Sequence, residues 1–398
     1  MTFRQLICLL AFTLLPLSAR EWTNDQGRTI QADFVSSDGK SVVLKIGGKK
    51  FICSLASLSQ ADRAFVAAQA EKPVPSAFED PQPKRYQLKA RASKIDPRCK
   101  SHPKIGFLLE DAKGKPADTQ QACVDTRVAP RGELVIWLMA PNDKLFKELN
   151  AMGYHVIQPH YARQWFGIIC QQNPVAEDAR GNARLEAATG RDFSDEMDLD
   201  LPDGMMERSY QLVRWLSKEN PQGKWEQFLT SGGLNWDKVV MSGISHGSTT
   251  AARFAKHQKV ARVVAFSGPR DQFQNWQALP SATPENRYFG FTHVLDEGWA
   301  GSHYCRSWQM LGLANFGPVV NVDTAKPPYG HTRRLITAFD VNNDPNRAHN
   351  SVIPNNGARK SADGSWAHRE VWQYLVASPV EAVGDAVPPD PSCRMNHR

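Results

Sequence analysis

The stretch that decides the fold is Lys238-Val239-Val240-Met241-Ser242-Gly243-Ile244-Ser245-His246-Gly247-Ser248-Thr249-Thr250-Ala251-Ala252-Arg253. Its β-branched start predicts a buried strand, and the apolar residues after Gly247 recur at helical spacing. Glycines two residues before and two residues after Ser245 let the chain turn sharply and let the helix approach the strand without a Cβ in the way. A bare G-x-S-x-G also occurs in ordinary small-residue turns. Flanked by a strand and a helix, it predicts a nucleophile elbow, whose serine hydroxyl projects above a sheet.

A serine at such a turn requires an acid and then a histidine later in the chain. Asp296 follows the aromatic segment 287–293, a predicted buried strand, and lies 51 residues after Ser245. His349 follows the predicted strand 334–341 and lies 53 residues after Asp296. In this interpretation Ser245 is the nucleophile and His349 the base that accepts its proton. Asp296 holds the imidazole in the required tautomer.

Other residues compete for the acid and base roles. Asp271 follows the preceding predicted strand, although it also fits an ordinary capped turn. Glu297 is a further alternative acid, and His331 is the alternative base. The chain order of the elements favours Asp296 and His349, because His331 precedes the last predicted strand instead of following it.

From about residue 103 to residue 377 the chain resembles the α/β-hydrolase superfamily and, more narrowly, a group of exported bacterial α/β hydrolases of undefined substrate. The resemblance rests on blocks considered together, at residues 134–140, 153–157, 209–216, 225–229, 234–236 and 347–349. It implies an α/β fold with the doubly wound, mostly parallel sheet of an α/β hydrolase. It also implies a serine hydrolase, although the same fold hosts peptidases, thioesterases and lyases.

The resemblance further implies an oxyanion hole, made by the backbone N–H of His246 and by a second N–H from an earlier loop. That loop has the sequence Met139-Ala140-Pro141-Asn142, and Pro141 has no N–H to donate. We expect Ala140 to supply the second donor, with Asn142 as the alternative. If Pro141 occupies the donor position, one donor is missing, which typically costs about 10² to 10³ in turnover.

The amino terminus predicts export. Residues 1–19 combine one positive charge, an apolar run from residue 6 to residue 15 and a small residue at the end, as in a secretory signal peptide. No other stretch approaches the roughly 18 apolar residues of a membrane-spanning helix. We therefore expect a periplasmic or extracellular protein with no membrane span.

The cysteines agree with an oxidising compartment. Outside the signal peptide they number six: Cys53, Cys99, Cys123, Cys170, Cys305 and Cys393. Six cysteines are compatible with disulfides and allow 15 pairings, among which the sequence does not choose. No pair has C-x-x-C spacing, so zinc and thioredoxin chemistry are not indicated. We expect no metal and no cofactor.

A small module precedes the predicted hydrolase. Residues 20–70 contain short strands with hairpin turns at Asp38-Gly39 and Gly47-Gly48, followed by a capped helix. This pattern resembles an SH3-like Sla-type homology domain. We expect a Pro-rich basic linker over residues 71–95, a hydrolase domain over 96–378, and a flexible tail over 379–398 unless Cys393 attaches it.

The module and linker carry the positive charge of the chain. Residues 20–104 hold 16 Lys and Arg against 9 Asp and Glu. A solvated face that maintains solubility is the simpler interpretation. The alternative is contact with an anionic envelope surface or polysaccharide. Nucleic-acid binding is not predicted, because no recognition motif is present.

The region before the elbow is the predicted substrate cover. Residues 163–202 show little helical period, and the acidic cluster at residues 192–200 favours a solvated loop over a calcium site. Trp165, Trp299 and Trp308 either line a cleft or pack in the core.

Together these features predict an exported serine hydrolase that cleaves a carboxylic ester, on a small molecule or a polysaccharide, through an acyl-enzyme. Two alternatives stay open. One is an exported peptidase of the same fold, and the other is a hydrolase-like binding protein of the envelope that has lost its oxyanion hole.

Overall fold

The computed structural model of the chain describes residues 20–37, 40–47, 49–70, 77–162, 165–171, 178–271, 275–391 and 393. The predicted signal peptide at residues 1–19 lies outside these residues. The chain divides into two compact units, Met1–Pro73 and Val74–Arg398. In the part of the chain that the structure describes, no helix is long and apolar enough to cross a membrane.

The first unit is a four-stranded antiparallel sheet whose strands follow chain order, with one helix after it. Its elements are β1 Arg20–Thr23, β2 Thr29–Ser37, β3 Ser41–Ile46, β4 Lys49–Ser54 and α1 Gln60–Ala70. Trp22 packs edge-on against Phe65 of α1, with ring centroids 5.6 Å apart, and its indole N–H donates to the Ala32 carbonyl at 3.0 Å. The short strands and the helix lie where the sequence predicts them, and the SH3-like identity stays a prediction.

The second unit is built on a nine-stranded sheet with the order β14-β15-β13-β12-β11-β7-β8-β6-β5. Its strands are β5 Arg85–Arg91, β6 Thr119–Asp125, β7 Leu134–Leu138, β8 His155–Gln158, β11 Val239–Ile244, β12 Arg262–Phe266, β13 Tyr288–His293, β14 Val319–Asn321 and β15 Arg334–Thr337. A separate two-stranded ribbon consists of β9 Leu229–Thr230 and β10 Gly233–Leu234. Strand β6 is antiparallel to both of its neighbours, and all other pairs of the large sheet are parallel.

Helices cover both faces of this sheet. They are α2 Ala92–Ile95, α3 Asp143–Ala151, α4 Trp165–Gln171, α5 Ala179–Thr189, α6 Met205–Glu219, α7 His246–His257, α8 Glu297–Ala300, α9 His303–Met310, α10 Pro345–Asn350 and α11 Arg369–Ala377. Along β7 the side chains alternate between two cores: Leu134, Ile136 and Leu138 pack with residues of α5, α6 and α7, whereas Val135 and Trp137 pack with residues of α3 and α11. Such burial on both faces is typical of a parallel sheet enclosed by helices. The expected α/β class with a mostly parallel sheet is confirmed.

The predicted linker at residues 71–95 is wrong over its second half. Arg85–Arg91 forms β5, which pairs with β6 in the large sheet, and α2 follows directly. Tyr86 and Leu88 pack against the core from alternate positions. The charged residues of this strand, Arg85, Lys89 and Arg91, suggest a linker in the sequence, but an edge strand tolerates charge on its solvent side.

The tail over residues 379–398, expected to be flexible unless Cys393 attaches it, is attached to the second unit over its described part. The buried Arg333 guanidinium donates to the carbonyls of Val380 and Ala382, at 2.8 and 3.0 Å. Further along, Cys393 forms a disulfide with Cys305. The tail is therefore attached by the cysteine that the sequence left as the exception.

The predicted cover at residues 163–202 contains two helices, α4 and α5. Helix α5 shows no simple apolar stripe because it buries Arg180, Arg184 and Glu186 among its small apolar residues. Part of the acidic cluster serves this helix, since Glu196 accepts a hydrogen bond from Arg180 at 2.8 Å.

Candidate active site

Ser245 lies at a sharp turn between β11 and α7. Its backbone has φ 57° and ψ −124°, in the region that a side chain other than that of glycine rarely adopts. A Cβ added to Gly247 would lie 1.6 Å from the Leu138 carbonyl oxygen, and one added to Gly243 would lie 2.5 Å from the Gly247 backbone. Both glycines are therefore required for the close approach of α7 to β7 and β11. Strand, turn and helix lie where the G-x-S-x-G motif predicts them.

Asp296 and His349 are in direct contact. The Asp296 Oδ2 lies 2.8 Å from the His349 Nδ1, while its Oδ1 accepts hydrogen bonds from the Gly298 N–H at 2.9 Å and from the Tyr304 hydroxyl at 3.1 Å. The Asp296 side chain is 1% exposed and the His349 side chain 29%. A buried carboxylate thus holds one ring nitrogen of an imidazole that remains accessible to solvent.

Burial, hydrogen bonds and a neighbouring charge together set the charge of Asp296. Burial raises its pKa, but the hydrogen bond and charge of His349 and the Gly298 N–H lower it, and the net result is a pKa below the usual value. Asp296 is therefore ionised at neutral pH. An ionised partner favours the His349 tautomer that carries its proton on Nδ1 and leaves Nε2 as an acceptor.

The sheet brings Ser245, Asp296 and His349 to one edge. Strands β11, β12, β13 and β15 are consecutive and parallel, and these three residues follow β11, β13 and β15. Phe266, the last residue of β12, accepts a hydrogen bond from the Ser245 N–H at 3.0 Å. The next residue, Ser267, donates through its hydroxyl to the His349 carbonyl at 2.7 Å. A short chain of hydrogen bonds therefore links the turn at Ser245 to the helix that carries His349.

The alternative residues from the sequence have other surroundings. Asp271 accepts hydrogen bonds from Arg184 and, at 2.8 Å, from the Trp276 indole N–H. Glu297 is exposed at the start of α8. His331 precedes β15 and therefore lies towards the amino ends of the parallel strands. Of the acids weighed from the sequence, Asp296 is the one that contacts a histidine that follows β15.

The predicted oxyanion loop approaches the elbow through its first residues. The Leu138 carbonyl and the Met139 side chain are the nearest groups to the Cβ position of Gly247. Asn142, in contrast, caps α3, where its Oδ1 accepts from the Leu145 N–H at 3.0 Å. In the described parts of the chain, no acceptor takes the backbone N–H of His246 or of Ala140.

His246 is held by a cluster that sequence reasoning missed. The Arg184 guanidinium of α5 stacks on the Phe166 ring at 3.5 Å and donates to the His246 carbonyl at 3.1 Å. The His246 imidazole packs against the same Phe166, with ring centroids 4.7 Å apart. Burial, together with the charges of Arg184, His349 and Arg270, lowers the pKa of His246 to about 3. No sequence motif marks Arg184 or Phe166, which belong to the region without helical period.

Of the three tryptophans that the sequence places in a cleft or in the core, two are buried and one is partly exposed. Trp165 and Trp308 are fully buried, and the Trp308 indole N–H donates to the Gly268 carbonyl at 3.0 Å. Trp299 is partly exposed and packs on Trp308, with ring centroids 5.4 Å apart.

No protein-family model matches this chain, and no curated protein matches it. Among solved structures, a phosphonate-inhibited esterase B from Lactobacillus rhamnosis is similar at 12% identity, over 77% of this chain and 89% of that chain, with a TM-score of 0.34. A sugar hydrolase from Lactococcus lactis is similar at 11% identity, over 67% of this chain and 92% of that chain, with a TM-score of 0.33. The acylaminoacyl peptidase of Pyrococcus horikoshii is similar at 9% identity, over 82% of this chain and 45% of that chain, with a TM-score of 0.29. Similarities at TM-scores this low carry no argument for this chain.

Proposed function

We propose that this protein is an exported serine hydrolase that cleaves carboxylic esters through an acyl-enzyme, with Ser245 as nucleophile, His349 as base and Asp296 as the acid of the triad. The observation that carries the proposal is the contact between the buried Asp296 and His349, at the sheet edge where Ser245 occupies a turn with positive φ. A histidine with a purely structural role needs neither a buried carboxylate at one ring nitrogen nor access of solvent to its ring.

In the proposed reaction, Ser245, His349 and Asp296 have separate roles. The Ser245 Oγ attacks the ester carbonyl carbon while its proton passes to the His349 Nε2, and Asp296 stabilises the imidazolium. When the carbon–oxygen bond to the alcohol breaks, the imidazolium returns the proton to the departing oxygen. Water then attacks the acyl-enzyme with the same base, which releases the acid and restores the serine.

The developing oxyanion requires donors that are not already in use. The backbone N–H groups of His246 and Ala140 meet this condition, and we assign them as the oxyanion hole. Pro141 follows Ala140 and lies further along the loop than Leu138 and Met139, which border Gly247. This arrangement favours an active hydrolase over the binding-protein alternative.

Export of the protein and contact of its first unit with the cell envelope are parts of the same proposal. The disulfide between Cys305 and Cys393 supports an oxidising compartment, because such bonds rarely persist in the cytosol. The exposed Lys45, Lys49 and Lys50 of the first unit are accessible to an anionic envelope surface or polysaccharide, although a solvated face also explains their exposure.

Labelling with a fluorophosphonate probe tests the proposal. We expect the full mature chain to be labelled and to hydrolyse short-chain 4-nitrophenyl esters. Ser245→Ala should lose both properties at a nearly unchanged melting temperature, because the partly exposed Oγ serves chemistry and not packing. Ser217→Ala, which changes a partly exposed serine of α6, is the matched control. Ester hydrolysis that persists in Ser245→Ala would contradict the proposal, and turnover of peptides but not of esters would favour the peptidase.

A further inference from the structure

Arg270 lies next to the serine at the candidate active site. The loop that contains it follows β12, the strand between those that lead to Ser245 and to Asp296. The Thr249 hydroxyl lies 3.1 Å from the Ser245 carbonyl and 3.2 Å from the Arg270 carbonyl, and it accepts a hydrogen bond from the Arg270 N–H at 3.0 Å. One hydroxyl group therefore joins the backbones of Ser245 and Arg270.

The Arg270 side chain is exposed. No carboxylate in the described residues lies within ion-pair distance of its guanidinium. The neighbouring Arg184, by comparison, is fully buried and paired with Asp271. Burial is the main cause of the lowered pKa of His246, the residue after Ser245, and the charge of Arg270 is a further, smaller cause.

We propose that Arg270 binds a carboxylate of the substrate, so that the preferred esters are acidic ones. The guanidinium presents parallel N–H donors that match a carboxylate in a bidentate contact, and an unpaired positive charge at the site attracts anions before they bind. The inference rests on the proposed function and specifies its substrate class. Arg270 takes no part in bond breaking; it determines which ester is held over Ser245.

Two pairs of substrates test this role in the full mature chain. Mono-(4-nitrophenyl) glutarate and 4-nitrophenyl pentanoate have acyl chains of equal length and differ by a carboxylate in place of a methyl group. The pair 4-carboxyphenyl acetate and phenyl acetate places the acid on the alcohol side instead. For each pair the measurement is the ratio of kcat/KM for the acidic ester to kcat/KM for the neutral one, after subtraction of the rate with Ser245→Ala.

We expect Arg270→Ala to lower this ratio by roughly tenfold to a hundredfold in one of the two pairs, the range of a hydrogen bond to a charged group. Turnover of the neutral ester should stay near that of the parent chain and thus report a folded site. Arg270→Lys should recover part of the ratio, and high salt should lower the ratio of the parent chain. Arg214→Ala, which removes an exposed arginine of α6, is the matched control.

The outcomes separate the two proposals. An unchanged ratio in both pairs, or an equal fall for acidic and neutral esters, would overturn the role of Arg270 while leaving Ser245 as the nucleophile. A parent chain that neither hydrolyses any of the four esters nor reacts with the fluorophosphonate would overturn the proposed function, and the substrate class with it.

Discussion

Two buried carboxylates follow neighbouring strands of the sheet, and the structure gives them different tasks. Asp271 follows β12 and pairs with Arg184, and both side chains are 0% exposed. Asp296 follows β13 and holds His349. The matched substitutions Asp271→Asn and Asp296→Asn remove one negative charge each at almost constant shape. We expect the first to reduce stability and the second to reduce turnover.

The contacts of Arg184 set the cost of Asp271→Asn. Leaving one member of a buried pair without its counter-charge typically costs about 3–5 kcal/mol. Arg184 keeps its bonds to the His246 carbonyl and the Thr250 hydroxyl, both at 3.1 Å, so the lower end of that range applies. A loss of about 3 kcal/mol is a large share of the roughly 5–15 kcal/mol that stabilise a typical domain.

Asp296→Asn should have the opposite profile. Its amide can still accept from the Gly298 N–H, so the structure loses little, but it no longer favours the reactive tautomer of His349. In a serine triad this loss costs about 10⁴ in kcat. Urea unfolding measures the stability of each variant, and hydrolysis of 4-nitrophenyl butyrate by the folded fraction measures turnover. A chain that keeps its turnover with Asp296→Asn but loses it with Asp271→Asn would show that the acid has been wrongly assigned.

Two further predictions concern pH and truncation. Because the pKa of His246 is about 3 and that of Asp296 is below its usual value, both keep one charge state from pH 5 to 8. A fall of turnover on the acid side of this range, as a histidine base produces, is therefore expected from neither of them. A flat pH–rate profile over this range would argue against a histidine base. A chain that starts at Val74 should keep the turnover of small esters. A chain that starts at Asp96 lacks β5 and should be less stable in urea. Loss of turnover in the chain that starts at Val74, while it is still folded, would mean that the first unit completes the site.

The positions of the candidate triad could be predicted from the sequence because they depend on a local turn motif and on the order of the strands along the chain. Gly243 and Gly247 define a turn that few other residues allow, and the strands after it alternate with connections of ordinary length. In a parallel sheet, consecutive strands deliver the ends of their loops to the same edge. Chain order alone therefore favoured Asp296 over Asp271 and His349 over His331.

The boundaries were harder to predict because they depend on contacts far apart in the chain. Strand β5 is amphipathic only with respect to a core that forms from residues much later in the sequence, and its charged residues resemble those of a linker. The carboxyl-terminal segment has a composition typical of disorder, yet Arg333 binds two of its carbonyls and Cys305 binds Cys393. Cys393 marks the disulfide as an option in the sequence, but nothing in the segment itself indicates the contact with Arg333.

Helix α5, which contacts the elbow, was also difficult to predict from the sequence. Hydrophobic periodicity assumes that charged side chains face water, and it fails where a helix buries charge against charge. Arg180 pairs with Glu196, and Arg184 pairs with Asp271 while it also binds the first residue of α7 through the His246 carbonyl. The buried charges that obscure the helical period of α5 thus include Arg184, which holds the backbone beside Ser245. Since a buried ion pair adds little net stability but is costly to break, its place here fits a requirement for one defined arrangement of the elbow rather than for a more stable core.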